Sequence, residues 1–341
     1  MTDQVETHES NTEFGPSHRP KKWIAQEIES LDPEVDYERI WKLTMTYHID
    51  DFLMNLVYTL GIPAFTQPPN GSIMMGEITR KAADYGQKRA DDTLQHFWAW
   101  FEYGPSDLRA RGSVEHVNRI HEALSKRLPG TFPARDVIYT SAWIGVAYHR
   151  LRLAAGLPGF TEKQKIATQR YWAAVGRIFW SEDGYVTNYP ESFDAMLKFV
   201  EEYEAEPWEQ VESGRLLSQA INEQFYDAYF PGALRALGEQ IVLSLQIPSI
   251  RKLMQMGDPN PAAQKLILKG LGVYLALVED VLPDPTLSTP ERARLEKVRP
   301  AQHIDPPSSP LRCPVSSAAR SEAVAAPAGA GTNGTSKGKK S

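Results

Sequence analysis

Arg111-Gly-Ser-Val-Glu-His-Val-Asn-Arg-Ile-His-Glu-Ala-Leu-Ser-Lys-Arg-Leu128 is the stretch whose reading decides the fold. Val114, Val117, His121, Leu124 and Leu128 follow one another at steps of three, four, three and four residues. Those steps put all five on one side of a 3.6-residue helix, the side that faces a core. A histidine thus stands where a soluble helix carries a hydrophobe. A neutral imidazole there costs free energy unless its nitrogens find partners. Alone, the stripe predicts a core histidine bonded to a backbone carbonyl; a metal is the other partner an imidazole takes.

The helical period recurs along the chain. Asp36-Tyr-Glu-Arg-Ile opens a helix with Asp36 as N-cap, running towards Gly61-Ile-Pro63. Leu94, Phe97, Trp98 and Phe101 mark a helix from about Lys88 to Tyr103. Further helices are expected at 113–128, 136–155, 161–181, 191–205, 209–229, 232–245 and 262–282. Thr161-Glu-Lys-Gln164 has the spacing of a capping box. Asn70-Gly71 is a hairpin-type signal whose flanks do not alternate, and no strand is expected. The fold class is all-α: one multi-helix domain over residues 21–299, with disordered tails at 1–20 and 300–341, where composition cannot offset the entropy of ordering.

Composition narrows the function. The chain has 341 residues, net charge −6, 42% hydrophobic residues and eight Trp, enough for a substantial core. Its basic residues are dispersed, apart from a tail cluster at Lys337–Lys340, so nucleic acid is not an expected partner. The single Cys, Cys313, excludes a disulfide within the chain and makes a thiolate-held cluster or haem implausible. Residues 1–20 are polar and do not read as a signal peptide. The apolar segments 236–253 and 266–282 are interrupted by charges and read as core helices, not spans. The expected location is intracellular, in the cytoplasm, with peripheral membrane association as the alternative.

Spacing removes several metal centres. No His has a Glu three residues before it, as a ferritin-like di-iron site needs, and His121-Glu122 lacks the second His of a zincin. His116 and His121 lie about 140° apart around a helix, too far to share a ligand set. No phosphate-cradling glycine loop or Gly-x-Ser-x-Gly elbow occurs. One buried His without companions suits haem, because the porphyrin supplies four ligands itself. Upstream, Arg89 and Thr93 are one turn apart on a helix, as are Asp92 and His96; a solvated polar face is the bland reading of that set. His48 reads as a structural partner of Asp51, and His149 as a surface or propionate-facing residue.

Arg89-x-x-Asp92-Thr93, followed by Val117-Asn118-Arg119-Ile120-His121, resembles the core signature of the MpaB-type, ER-bound oxygenase family. That family is similar to the haem-dependent latex-clearing rubber oxygenases. Further blocks follow in order over residues 33–205: Arg135 to Tyr139, Gly159 to Glu162, Tyr171-Trp172-x-x-Val175-Gly176, Tyr189 to Phe193, and Tyr203-Glu204. The resemblance implies an all-α fold, haem b with its iron held by His121, and O₂-dependent oxidation of a hydrophobic substrate. Such a substrate is an isoprenoid or another apolar secondary metabolite, and cleavage of its C=C bonds is one outcome. It further implies that Asn118 orients the His121 ring or a propionate, and that Arg89, Asp92 and Thr93 act on the oxygen or propionate side. Rubber oxygenases carry a lysine where Asp92 stands, so a lysine-capped iron is not expected. The stretch Trp180–Asn188 is longer than the family's link. The alternative reading is a non-enzymatic helical protein that keeps this core and binds a lipid or a protein partner.

Overall fold

Fifteen α-helices carry residues 21–298, the part described by the computed structural model. In chain order they are α1 (Trp23–Ser30), α2 (Tyr37–Thr46), α3 (Asp51–Phe65), α4 (Pro69–Ile73) and α5 (Lys81–Asp84). Then come α6 (Gly86–Tyr103), α7 (Leu108–Ser125), α8 (Ala134–Ala154), α9 (Glu162–Gly176) and α10 (Phe193–Glu204). The last are α11 (Glu212–Tyr229), α12 (Arg235–Leu245), α13 (Pro248–Leu253), α14 (Pro261–Ala276) and α15 (Thr289–Val298). One two-residue hairpin, β1 (Trp180–Ser181) with β2 (Gly184–Tyr185), interrupts the helices between α9 and α10. The all-α class holds. The sequence-read tails, Cys313 and the lysine cluster lie outside the described residues.

Several ends follow local chemistry. Thr161 and Gln164 complete the capping box that starts α9, and Asp50 caps α3 by accepting from Leu53 N at 2.9 Å. Asp36 does not cap α2; its carboxylate accepts instead from Asp32 N. The helix expected to run from Asp36 to Gly61 is broken at residues 47–50. That break is made from a distance. Asp284 meets His48 Nε2 at 3.2 Å, and the Thr289 hydroxyl donates to the Ile49 carbonyl at 2.7 Å. His48 is therefore structural, but its partner is Asp284 and not Asp51. Gly61 and Pro63 lie buried inside α3, which continues to Phe65. Asn70 and Gly71 fall in α4 rather than in a hairpin. α9 ends at Gly176, five residues short of the expected Ser181.

The core is built around α3 and α8, which α2, α6, α9, α10 and α11 enclose. Its centre is aromatic: Trp41 stacks on Tyr171 at 5.1 Å and takes Phe101 and Trp172 edge-on at 5.3 and 5.6 Å. Phe97, Trp143 and Trp172 belong to this packed interior and not to an open pocket. α15 returns to the N-terminal half, where Arg294 grips Glu102 through two 2.6 Å bonds.

The segment 266–282 departs from its expected place in the core. α14 continues through a π turn at Leu277–Val281, yet within α14 itself only Gly272 and Leu275 are buried. Leu266 is 73% exposed and Val281 67%. Residues 261–281 are also long and apolar enough, by length and composition, to cross a membrane. Composition alone cannot tell a core helix from an apolar helix left outside.

Candidate functional site

α6 and α7 pack side by side and set their polar residues against each other. On α6, Arg89, Thr93, His96 and Trp100 recur at helical spacing and share one flank. The Thr93 hydroxyl donates to the Arg89 carbonyl at 2.8 Å, and the Arg89 guanidinium turns back onto the same hydroxyl. His96 Nδ1 meets the Ser113 hydroxyl of α7 at 2.7 Å, and Trp100 Nε1 donates to that oxygen at 3.0 Å. The Ser113 oxygen thus ties the indole and the imidazole of α6 to α7. His116, exposed on α7, stacks on His96 at 5.7 Å.

His121 stands further along α7. Its Nδ1 is sealed from solvent and has no hydrogen-bond partner. Its ring lies flat on Phe132 at 4.2 Å. Burial first, then the charge of Arg89 and the proximity of His96, push its pKa down to about 4. The same burial and the Arg89 charge lower His96. Arg89 is half-buried and forms no ion pair among the described residues. Its field also reaches Tyr58 on α3, whose buried hydroxyl has no partner and whose pKa burial raises to about 12. Among the described residues the cluster therefore holds a guanidinium without an ion pair, two imidazoles of lowered pKa and a phenol without a partner, and Asp92 acts on Arg89 and His96 only through its field.

Phe132 owes its position to a residue that the motifs did not single out. Glu182, between β1 and β2, accepts from the backbone N–H groups of Gly130, Thr131 and Phe132 at 2.6, 2.9 and 2.9 Å. The long Trp180–Asn188 stretch thus folds into a brace for the loop between α7 and α8. Only its extra length signalled this in the sequence.

Three expected roles move. Asp92 faces solvent, where Lys88 Nζ contacts it at 2.8 Å, and burial does not draw it towards His121. Asn118 does not reach the His121 ring: its amide donates to the Ile178 carbonyl at 2.8 Å and accepts from Trp180 N at 3.0 Å. Both ends of that side chain are committed to ending α9 and starting β1. His149 is neither at the surface nor near Arg89. It is 6% exposed, accepts from Phe160 N at 2.9 Å and packs so tightly on Gly159 that a Cβ there would sit 2.3 Å from its ring.

Among the described residues, no group of three or more His, Cys, Asp or Glu comes together to hold a metal ion. Haem asks for less, a single neutral imidazole with an available nitrogen and a cation for a propionate or bound oxygen. Among the described residues His121 Nδ1 has no hydrogen bond and Arg89 no ion pair, and the two fit those requirements. Two surface clefts, of about 380 and 260 Å³, flank Trp208, and neither is lined by Arg89, His96 or His121. Comparison of the chain with protein-family models and with curated proteins finds no match.

Proposed function

We propose that this protein is a haem-dependent oxygenase acting with O₂ on a hydrophobic substrate, with His121 as the iron ligand. The observation that carries the reading is the sealed His121 Nδ1, without a hydrogen-bond partner among the described residues, close to the charge of a guanidinium that forms no ion pair there. A core histidine kept for packing alone would have its nitrogens bonded. The ordered motifs from Arg89 to Glu204, with their resemblance to the MpaB-type oxygenases, supply the reaction class and the isoprenoid or similarly apolar substrate.

Haem, when bound, supplies the redox chemistry that lets O₂ attack an apolar chain and cleave a C=C bond. The protein's own residues set the conditions. Burial keeps His121 unprotonated at neutral pH, so no proton has to leave before a nitrogen can ligate. Thr93 steadies Arg89, which brings a fixed positive charge for a propionate or for oxygen. His96, held through Nδ1 by Ser113, brings an imidazole whose Nε2 can exchange a proton. Asp92 has no part in this scheme.

The second reading, a partner-binding helical protein without enzymatic activity, is favoured by the bare apolar face of α14. Oxygen uptake by haem-loaded protein, with squalene as an alkene probe, separates the two. Arg89→Ala is expected to lower turnover more than tenfold while haem content stays near that of the parent. Full oxygen uptake by that variant would remove Arg89 from the mechanism.

A further inference from the structure

α14 has two unlike sides. Its back is fastened to the rest of the chain. A Cβ at Gly272 would lie 2.3 Å from the Ala155 carbonyl at the end of α8, and Leu275 is 1% exposed. Glu279, in the π turn, is gripped by Arg152 and by the Tyr148 hydroxyl, while Tyr274, one turn from Gly270, reaches round to Asp50 at 3.4 Å. The front carries Leu266, Gly270, Val273, Leu277 and Val281, at steps of four, three, four and four residues. These steps draw a single stripe along the helix. Val273 is 63% exposed and Leu277 44%, and nothing lies within 4 Å of a Cβ built on Gly270. An apolar stripe this long on a helix already docked by its back calls for an external partner.

The charges beside the stripe identify that partner. Lys265, Lys269 and Asp280 are exposed, and none forms an ion pair among the described residues. Lys269 and Asp280 are eleven residues apart, three turns, and so share one edge of the helix. In a two-fold antiparallel pair each edge meets itself reversed. An axis between Val273 and Tyr274 then sets Leu266 against Val281 and Gly270 against Leu277, so the stripe maps onto itself and a small residue faces a large one. The same axis places Asp280 of one copy between Lys265 and Lys269 of the other. A lipid surface would favour one sign of charge along this edge. A membrane crossing would tear Glu279 from Arg152 and Gly272 from α8.

We infer that the outer face of α14 pairs, antiparallel, with the same face of a second copy of this chain. Residues 261–281 span about 31 Å at 1.5 Å per residue. α12 packs alongside α14, where Gln264 Nε2 donates to the Ser244 carbonyl at 3.3 Å. A strip of that length and about 20 Å wide buries roughly 1,200 Å² in total, the lower end of stable dimer interfaces.

Sedimentation velocity of the full chain, from micromolar to a few hundred micromolar, reads the outcome without any haem. A dimer is expected, and Val273→Asp is expected to weaken it at least tenfold. The decisive pair is Lys265→Glu/Lys269→Glu and Asp280→Lys. Each variant alone is expected to associate at least tenfold more weakly than the parent, and the two mixed are expected to recover a one-to-one complex. A parent monomeric throughout that range overturns the proposal, as does failure of the two variants to complement. So does a parent that remains monomeric and binds vesicles of phosphatidylcholine and phosphatidylglycerol.

Discussion

Two polar clusters of this protein, one buried and one half-buried, are built on opposite terms. Around Glu204, at the end of α10, the network closes on itself. Arg150 donates to both Glu204 oxygens at 2.8 Å, and the Tyr139 hydroxyl reaches Glu204 at 3.3 Å. Gln67 donates to Tyr139 at 3.0 Å, and Tyr203, stacked on Tyr139 at 3.8 Å, donates to Asp136 at 2.8 Å. Only one acceptor of the group, Gln67 Oε1, is left without a partner. Between α6 and α7 the network stays open: among the described residues Arg89 has no ion pair and His121 no hydrogen bond. Closed clusters lock a fold into one arrangement, whereas open ones keep unspent interactions for a ligand.

Breaking the closed cluster is expected to have the largest effect. Glu204→Ala leaves the half-buried Arg150 near Tyr139 without its hydrogen-bonded counter-charge. Loss of one partner of such a pair costs about 3 kcal/mol. Urea denaturation reads this directly, and a loss below about 1 kcal/mol would mean that water already screens the pair.

Asp136 offers a second, pH-dependent break. Burial raises its pKa to about 6, against 3.8 for an exposed carboxyl, so the folded state binds its proton more tightly than the unfolded state. This contribution to stability is complete below about pH 4 and is lost as pH rises through about 6. Asp136→Asn is expected to keep the bond from Tyr203 and remove the titration. Relative to the parent, the variant gains on the order of 2 kcal/mol between pH 5 and pH 8. Parallel stability curves for the two proteins would show that Asp136 ionises freely.

The smallest effect belongs to a residue that motif spacing favoured and that stands in solvent beside Lys88. Asp92 and Lys88 form an exposed pair on one helix, worth about 0.3–0.5 kcal/mol. Asp92→Ala is expected to shift the melting curve within that range and to leave oxygen uptake unchanged. A fall in turnover to match Arg89→Ala would return Asp92 to the site.

Sequence reading succeeded where cause and effect are close in the chain. The capping box at Thr161, the Leu94–Phe101 stripe and the inward side of His121 all follow from neighbours within about two turns. It failed where the cause lies far along the chain. The break between α2 and α3 is imposed by Asp284 and Thr289, more than two hundred residues away. Asn118 looked free to orient a ring because its true partners, Ile178 and Trp180, come from a hairpin with no strand-like period. The apolar run of α14 had the composition of a core helix, and only the completed packing leaves its stripe in solvent.

The open cluster is tested most directly by titrating haem into the parent and into His121→Leu, following the Soret band and the thermal stability of each haem-free protein. The account predicts an intense one-to-one Soret band in the parent and its loss in the variant, with the haem-free melting temperature unchanged or raised because a buried, unbonded nitrogen has been removed. A parent that gives no Soret band, or a variant that keeps it, would contradict His121 as the iron ligand.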